Sequence, residues 1–112
     1  LPQTWQSPTM SPHCADEKKY GIVEKMVKTY QDAAAKGEKI AGQAIRDLIT
    51  VNGVRVVLED GTWGLVRASS NKPELVVVVE SPTSEAAQRA IFADIDGRLR
   101  AFPEVGEYNQ KI

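Results

Sequence analysis

Two dipeptides, Asn52-Gly53 and Asp60-Gly61, divide the middle of the chain into short runs rich in β-branched residues. Asn-Gly and Asp-Gly readily supply positive φ at both central positions of a tight hairpin turn. The pattern predicts three strands, residues 46–51, 54–59 and 62–67, meandering antiparallel. After a polar loop, Pro73 releases the chain into a fourth strand, residues 75–80, which is apolar at five successive positions. Such a run suits a strand buried on more than one side, placed centrally or well covered.

Helices flank this meander. Asp16 is expected as an N-cap and Glu17 places negative charge in a first helical turn. Ile22, Val23, Met26, Val27 and Tyr30 then recur at three- and four-residue spacing, which marks one buried face. Lys36 followed by Gly37 predicts the end, because glycine readily takes the left-handed cap conformation. Lys18, Lys19, Lys25 and Lys28, on the charged side, are expected in solvent. A second helix, residues 84–102, starts from the signal Ser81-Pro82-Thr83-Ser84-Glu85 and carries the stripe Ala87, Ile91, Ile95, Leu99 and Phe102. Gly97 weakens its interior by roughly 1 kcal/mol relative to alanine, so the helix is expected to end early or bend there. The result is an α+β domain: a four-stranded antiparallel sheet with two helices packed on one face.

The ends read differently. Residues 1–15 contain Pro2, Pro8 and Pro12, half of the six prolines, and predict a linker with at most an extra short edge strand around residues 9–14. Residues 103–112 are polar and predict a loosely attached tail. At 112 residues the chain has room for one modest core, and residues 16–102 supply it. The start, Leu1-Pro2-Gln3-Thr4-Trp5, lacks an initiator Met and a basic, apolar signal, so the chain is expected to be cut from something longer. No apolar run approaches membrane-span length, and no membrane partner is expected. Fourteen basic against fifteen acidic residues provide no global positive field for nucleic acid, so any anion site must be local. Cys14, the single cysteine, cannot form an internal disulfide and has no zinc-ligand spacing. It suits a reducing compartment, and a cytoplasmic location is expected.

The chemistry concentrates in the loop before Pro73. Arg67, Ser69, Ser70, Asn71 and Lys72 place a guanidinium, two hydroxyls, an amide and an ammonium within six residues. Arginine offers a forked pair of N–H groups to an oxyanion, while Ser, Asn and turn amides add neutral donors. A purely structural turn accounts for Ser70, Asn71 and Pro73, whose side chains favour turns. It does not account for an arginine closing an apolar strand beside them. His13, next to Pro12 in an irregular segment, reads as a surface residue rather than a general base. Asp94 and Asp96 cannot face the same way on a helix and make no metal pair. Trp63 is assigned a packing or interdomain role.

The run Trp63-Gly64-Leu65-Val66-Arg67-Ala68-Ser69, followed by a short polar loop, Pro73 and an apolar strand, resembles the phosphate-binding loop of the α-D-phosphohexomutases. That loop lies in the C-terminal, fourth domain of phosphomannomutases and phosphoglucomutases. The resemblance extends to Asn52-Gly53-Val54-Arg55-Val56, to residues 84–102 and, more loosely, to residues 16–30. Family members commonly show Arg-x-Ser-Asn-Thr or Arg-x-Ser-Gly-Thr here. Arg67 and Ser69 match, Ser70 and Asn71 replace the commoner pair, and Lys72 adds a charge.

The resemblance implies a TATA-box-binding-protein-like fold and a substrate-phosphate-binding role for Arg67, Ser69, Ser70, Asn71 and Lys72. It also implies a parent enzyme that interconverts hexose 1-phosphate and hexose 6-phosphate through a phosphoserine and a bisphosphorylated sugar. The serine and a Mg²⁺ ion would belong to missing upstream domains, leaving this chain non-catalytic and without a cofactor of its own. Residues 1–15 would then be the hinge from the preceding domain. A rival reading is a stand-alone α+β module that uses its open sheet for a protein or nucleic-acid partner. The choice of hexose, or of glucosamine phosphate, is set by other domains.

Overall fold

The hairpins around Asn52-Gly53 and Asp60-Gly61 build the centre of one antiparallel sheet. The structure, a computed structural model, describes residues 4–110 and 112. Residues 1–3 of the expected linker and residue 111 of the tail lie outside the described residues. In chain order the elements are β1 (Trp5–Gln6), α1 (Asp16–Ala35), β2 (Lys39–Ile40), β3 (Gln43–Ile49), β4 (Val54–Leu58), β5 (Trp63–Ala68), β6 (Leu75–Ser81) and α2 (Glu85–Leu99). The sheet order is β1-β6-β5-β4-β3-β2.

The α+β class holds, but the sheet has six strands rather than the expected four. Both additional strands are two residues long and sit at the edges. β2 turns into β3 through Ala41-Gly42, with φ of 53° and 79°. Alanine in the left-handed region costs about 1–2 kcal/mol, so this dipeptide carries no hairpin signal of the Asn-Gly kind. β1 pairs with the end of β6, and the chain then stays beside β6 through bridges at Met10 and His13. Prolines between those contacts break the ladder into pieces too short to read as a strand. The edge strand expected around residues 9–14 is not formed there: β1 covers Trp5–Gln6, and Met10, Pro12 and His13 make only isolated bridges. Residues 4–14 lie along the sheet, with Met10 and Cys14 fully buried.

Register places Val54, Val56, Leu58, Gly64, Val66, Val77 and Val79 on one face, where both helices pack. Gly64 permits the close approach of α2: a Cβ there would meet Ile95 Cδ1 at 2.5 Å. β6 lies between β1 and β5, and Leu75, Val76, Val77 and Val79 are all buried, as its apolar run requires. Strand ends shift modestly. β3 spans 43–49 rather than 46–51, because the β3–β4 connection uses four residues, 50–53.

Local signals at the helices fared unevenly. Ser84 caps α2 by accepting from the Ala87 amide at 3.0 Å, and α2 ends at Leu99 rather than at residue 102. Asp16 is not the N-cap of α1: Ala15 occupies that position without a side-chain bond, and the Asp16 carboxylate pairs with Lys19 at 2.7 Å. Lys19 accordingly leaves the solvated face on which it was expected and is only 3% exposed. The two helices are joined through a network in which the Tyr30 hydroxyl and Arg98 Nε both donate to Asp94 Oδ2, at 2.7 and 2.8 Å. Burial, reinforced by the Asp94 carboxylate, pushes the Tyr30 hydroxyl well above its usual range.

The tail also packs more firmly than its polar composition suggests. Val105 is buried, and Tyr108 meets Phe92 edge-on at 5.7 Å and donates to Asp96 Oδ1 at 2.8 Å. Gly106 N donates to His13 O and His13 N to Glu107 O, tying the tail to the N-terminal segment. One valine and one tyrosine in ten residues have no periodicity to reveal them.

Turn chemistry generates two predictions. At Asp60-Gly61 only the glycine has positive φ, and the Asp60 side chain binds the turn instead, accepting from Thr62 N at 2.8 Å and from the Thr83 hydroxyl at 2.7 Å. Burial acts to raise the Asp60 carboxyl, but hydrogen bonds from Thr62, Thr83 and Gln43 outweigh it and bring the group from its usual 3.8 down to about 2. A carboxyl lowered on folding stabilises the fold above its unfolded pKa and loses that contribution as pH falls through the folded value. Acid titration of unfolding should therefore show less pH dependence between about 4 and 2 for Asp60→Asn than for the wild type. Equal slopes would contradict the assignment. At Gly53, with φ of 141°, an added Cβ would lie 2.4 Å from Val66 O and 2.9 Å from Arg67 Cβ. Gly53→Ala should cost about 3 kcal/mol in denaturant unfolding, combining backbone strain with overpacking. A cost below about 0.5 kcal/mol, the range of ordinary surface substitutions, would refute the close approach.

Candidate functional site

Three elements converge at one end of the sheet. β5 runs out at Ala68, the β3–β4 turn folds its Gly53 against Val66 and Arg67, and the first turns of α1 pass beside them. Between them lies a cleft of about 570 Å³. Tyr20, Val23 and Glu24 line it from α1, Asn52 and Gly53 from the turn, and Arg67, Ala68 and Ser70 from the strand end and loop.

Arg67 is the one cation in that lining. It is exposed and has no carboxylate partner among the described residues, in contrast to Arg89, Arg98 and Arg100, each paired to an acid on α2. An unpaired guanidinium fixed at a strand end keeps its forked donors available for an oxyanion. Glu24 is the one carboxylate in the cleft. Tyr20, 60% exposed, gives the wall an aromatic surface.

The expected loop residues divide among different positions. Arg67 and Ser70 both line the cleft. Ser69 is drawn into the loop, where its Oγ faces the amides of Asn71 at 3.4 Å and Lys72 at 3.3 Å. These are long contacts, weaker than a good N–H···O bond. The Asn71 side chain accepts from the Ser70 hydroxyl at 3.4 Å, within the loop. Lys72 lines a separate groove of about 300 Å³ alongside Ser11, His13 and Glu74, rather than the cleft. The loop closes at its base through Ser69 N donating to Glu74 O at 3.0 Å and Cys14 N donating to Pro73 O at 2.8 Å.

Sequence reasoning treated Asn52-Gly53 only as a turn and missed that it forms a wall of the cleft. Tyr20 and Glu24 were missed because a solvated helix face gives no sign of what lies opposite. Lys19 had a faint signal in its i,i+3 spacing from Asp16. The charged side chains of α2 have structural partners. Asp94 serves Tyr30 and Arg98, while Asp96 serves Tyr108 and Arg100. The Arg55 guanidinium lies 4.1 Å from the Trp63 ring centroid, on the sheet face opposite the helices. Burial pushes the Cys14 thiol up, assisted by Glu104 and opposed by Lys19. Among the described residues no group of three His, Cys, Asp or Glu side chains could hold a metal ion. No described helix is long and apolar enough to cross a membrane.

Comparison with known proteins adds independent support for the fold. Residues 14–98 match the family described as phosphoglucomutase/phosphomannomutase, C-terminal domain. A phosphopentomutase of Thermococcus kodakarensis is 35% identical over 72 residues, which is 64% of this chain and 14% of that protein. A phosphomannomutase/phosphoglucomutase of Pseudomonas putida is 33% identical over 105 residues, 94% of this chain and 20% of that protein. The crystal structure of a phosphoglucomutase/phosphomannomutase family protein from Burkholderia thailandensis superposes with a TM-score of 0.61 at 26% identity, covering 90% of this chain and 18% of that one. The chain thus spans a fifth or less of the length of these relatives. With the family match covering β2 to β6, the loop, all of α1 and most of α2, the chain belongs to the phosphoglucomutase/phosphomannomutase C-terminal domain family.

Proposed function

We propose that this domain clamps the non-reacting phosphate of a phosphosugar in a mutase that interconverts hexose 1-phosphate and hexose 6-phosphate. The observation that carries this reading is Arg67: an exposed guanidinium, unpaired among the described residues, at the mouth of a cleft that also presents Ser70 and Asn52. A phosphate dianion would take the forked Arg67 donors, with neutral hydrogen bonds from Ser70 and Asn52. The long contacts from Asn71 N and Lys72 N to Ser69 Oγ leave those amides able to exchange toward an anion. Lys72, from the neighbouring groove, would add a longer-range charge.

The variety of sugars among the relatives favours recognition of phosphate over sugar shape. The relatives include a phosphopentomutase, a probable phosphoglucosamine mutase and a phosphomannomutase/phosphoglucomutase, whose substrates share the phosphate and differ in the sugar. A domain that grips only the shared group can serve each of them. In this reading the reaction runs through a phosphoserine and a bisphosphorylated sugar that must turn round, so the clamp has to accept either end. The phosphoserine belongs to another domain of the parent enzyme, as does a Mg²⁺ site; no step assigned to this domain depends on the metal. Residues 1–15 would lead in from a preceding domain, residues 16–102 would carry the clamp and residues 103–112 would form its C-terminal tail. Closure of the domain would orient the substrate and exclude water, and the enzyme would work in the cytoplasm.

Arg67→Ala in the complete enzyme tests the proposal. A charge-assisted pair lost from a phosphate should lower kcat/KM about 10- to 100-fold, while the catalytic serine of the other domain remains phosphorylatable. Arg67→Lys should recover only part of the loss, since an ammonium cannot supply the fork. Kinetics unchanged in Arg67→Ala would rule out the clamp.

A further inference from the structure

We propose that Lys19 is a positioning residue for the loop after β5, an inference that rests on the phosphate-clamp reading of that loop. Lysine is almost never fully buried unless paired, and Lys19 is 3% exposed. Its ammonium donates to Asp16 Oδ1 at 2.7 Å and to the Lys72 carbonyl at 3.0 Å. The Asp16 pair does not explain the burial. Asp16 lies three residues back on the same helix with a largely exposed side chain, and such a pair forms equally well in solvent. The Lys72 carbonyl, 53 residues away in sequence, is the partner that requires the ammonium to lie beneath the loop.

The loop has need of such a tie. Its base is closed by three backbone bonds, Ser69 N to Glu74 O, Glu74 N to Lys72 O and Cys14 N to Pro73 O, but at the apex the bonds among the described residues are contacts of 3.3–3.4 Å to Ser69 Oγ and between Ser70 and Asn71. Lys19 fixes the limb that carries Lys72, leaving the limb with Arg67 and Ser70 beside the cleft. The next residue along the helix, Tyr20, lines the opposite wall of that cleft. One turn of α1 therefore both forms a wall and anchors the loop across from it, so that Lys19 sets their separation. Without the ammonium, the Lys72 carbonyl keeps only its bond from Glu74 N at 2.8 Å, loses the charge-assisted one that ties it to α1, and leaves the apex freer to drift relative to the helix.

The test compares Lys19→Met, which keeps the aliphatic stem, with Lys18→Met, which removes the same charge from an exposed neighbour. In the 112-residue chain, hydrogen exchange at the amides of residues 70–72 should quicken about tenfold in Lys19→Met while the β5 and β6 amides keep their protection. Affinity for glucose 1-phosphate, followed by amide shifts, should fall about tenfold in Lys19→Met and less than twofold in Lys18→Met. A measurement on the unmutated chain covers the case in which Lys19→Met does not fold. The Lys19 ammonium should appear in nitrogen-15 spectra as a slowly exchanging signal, with a coupling across the hydrogen bond to the Lys72 carbonyl carbon. Loop exchange and affinity that match Lys18→Met would overturn the inference, as would a rapidly exchanging ammonium with no such coupling. If the wild type binds and Lys19→Met binds equally well, this inference alone fails. A wild type that does not bind glucose 1-phosphate at the loop overturns the phosphate reading and the inference together.

Discussion

The site depends on one close approach, that of the β3–β4 turn to the end of β5. Gly53 lies so near Val66 and Arg67 that a single added carbon would overlap the Val66 carbonyl. Because the contact involves backbone rather than a flexible side-chain tip, it cannot relax cheaply, and it sets where the last turn of β5 leaves the sheet. Arg67 inherits its position from that contact. Its strand is held from both sides, by β4 in a register that pairs Val54 with Val66 and by β6 in one that pairs Arg67 with Val76.

Behind this end of the sheet, the core makes the platform stiff. Val54, Val56, Leu58, Val77 and Val79 are essentially inaccessible to water, and burial of each contributes roughly 1.5–3 kcal/mol relative to exposure. The helices are coupled directly through Tyr30, Asp94 and Arg98, so α1 is braced against α2 as well as against the sheet. Thr62 and Ser81 share a buried hydrogen bond of 2.9 Å, and Ser81 Oγ also accepts from the amides of Thr83 and Ser84 where α2 begins. The cleft is consequently bounded by a helix, a glycine turn and a strand end that are each held from behind, while the loop apex remains the least constrained part. A preorganised guanidinium on a rigid strand beside an adjustable loop is a combination suited to gripping an anion that arrives in more than one orientation.

What the sequence disclosed follows physical lines. Elements with strong local signatures were legible: the β-branched runs around Asn52-Gly53, the Ser84 cap, the stripe through Ile91 and Ile95, and the glycine at position 37 with φ of 70°. Arg67 stood out because an arginine closing an apolar strand has no structural reason of its own. The two-residue strands escaped because Ala41 adopts a turn conformation that its side chain disfavours, and because prolines fragment the segment beside β6. The six-strand sheet is therefore a product of tertiary pairing rather than of local preference. The same reason hid Lys19, Tyr20 and Glu24, whose surroundings exist only once α1 lies across the end of the sheet. Within the loop, the residue types were readable but their directions were not: Ser70 reaches the cleft, Ser69 turns inward and Lys72 falls into the neighbouring groove.

The central claim is that a sugar phosphate is gripped where α1, the Asn52-Gly53 turn and the end of β5 meet. Amide chemical-shift mapping of this chain during titration with glucose 1-phosphate, with glucose as the uncharged control, tests it most directly. The account predicts saturable shifts that begin at Arg67, Ser70 and Asn52, extend through the loop amides, and are absent with glucose. Shifts confined to α2 or to the sheet face around Trp63, or equal responses to glucose and its phosphate, would contradict it.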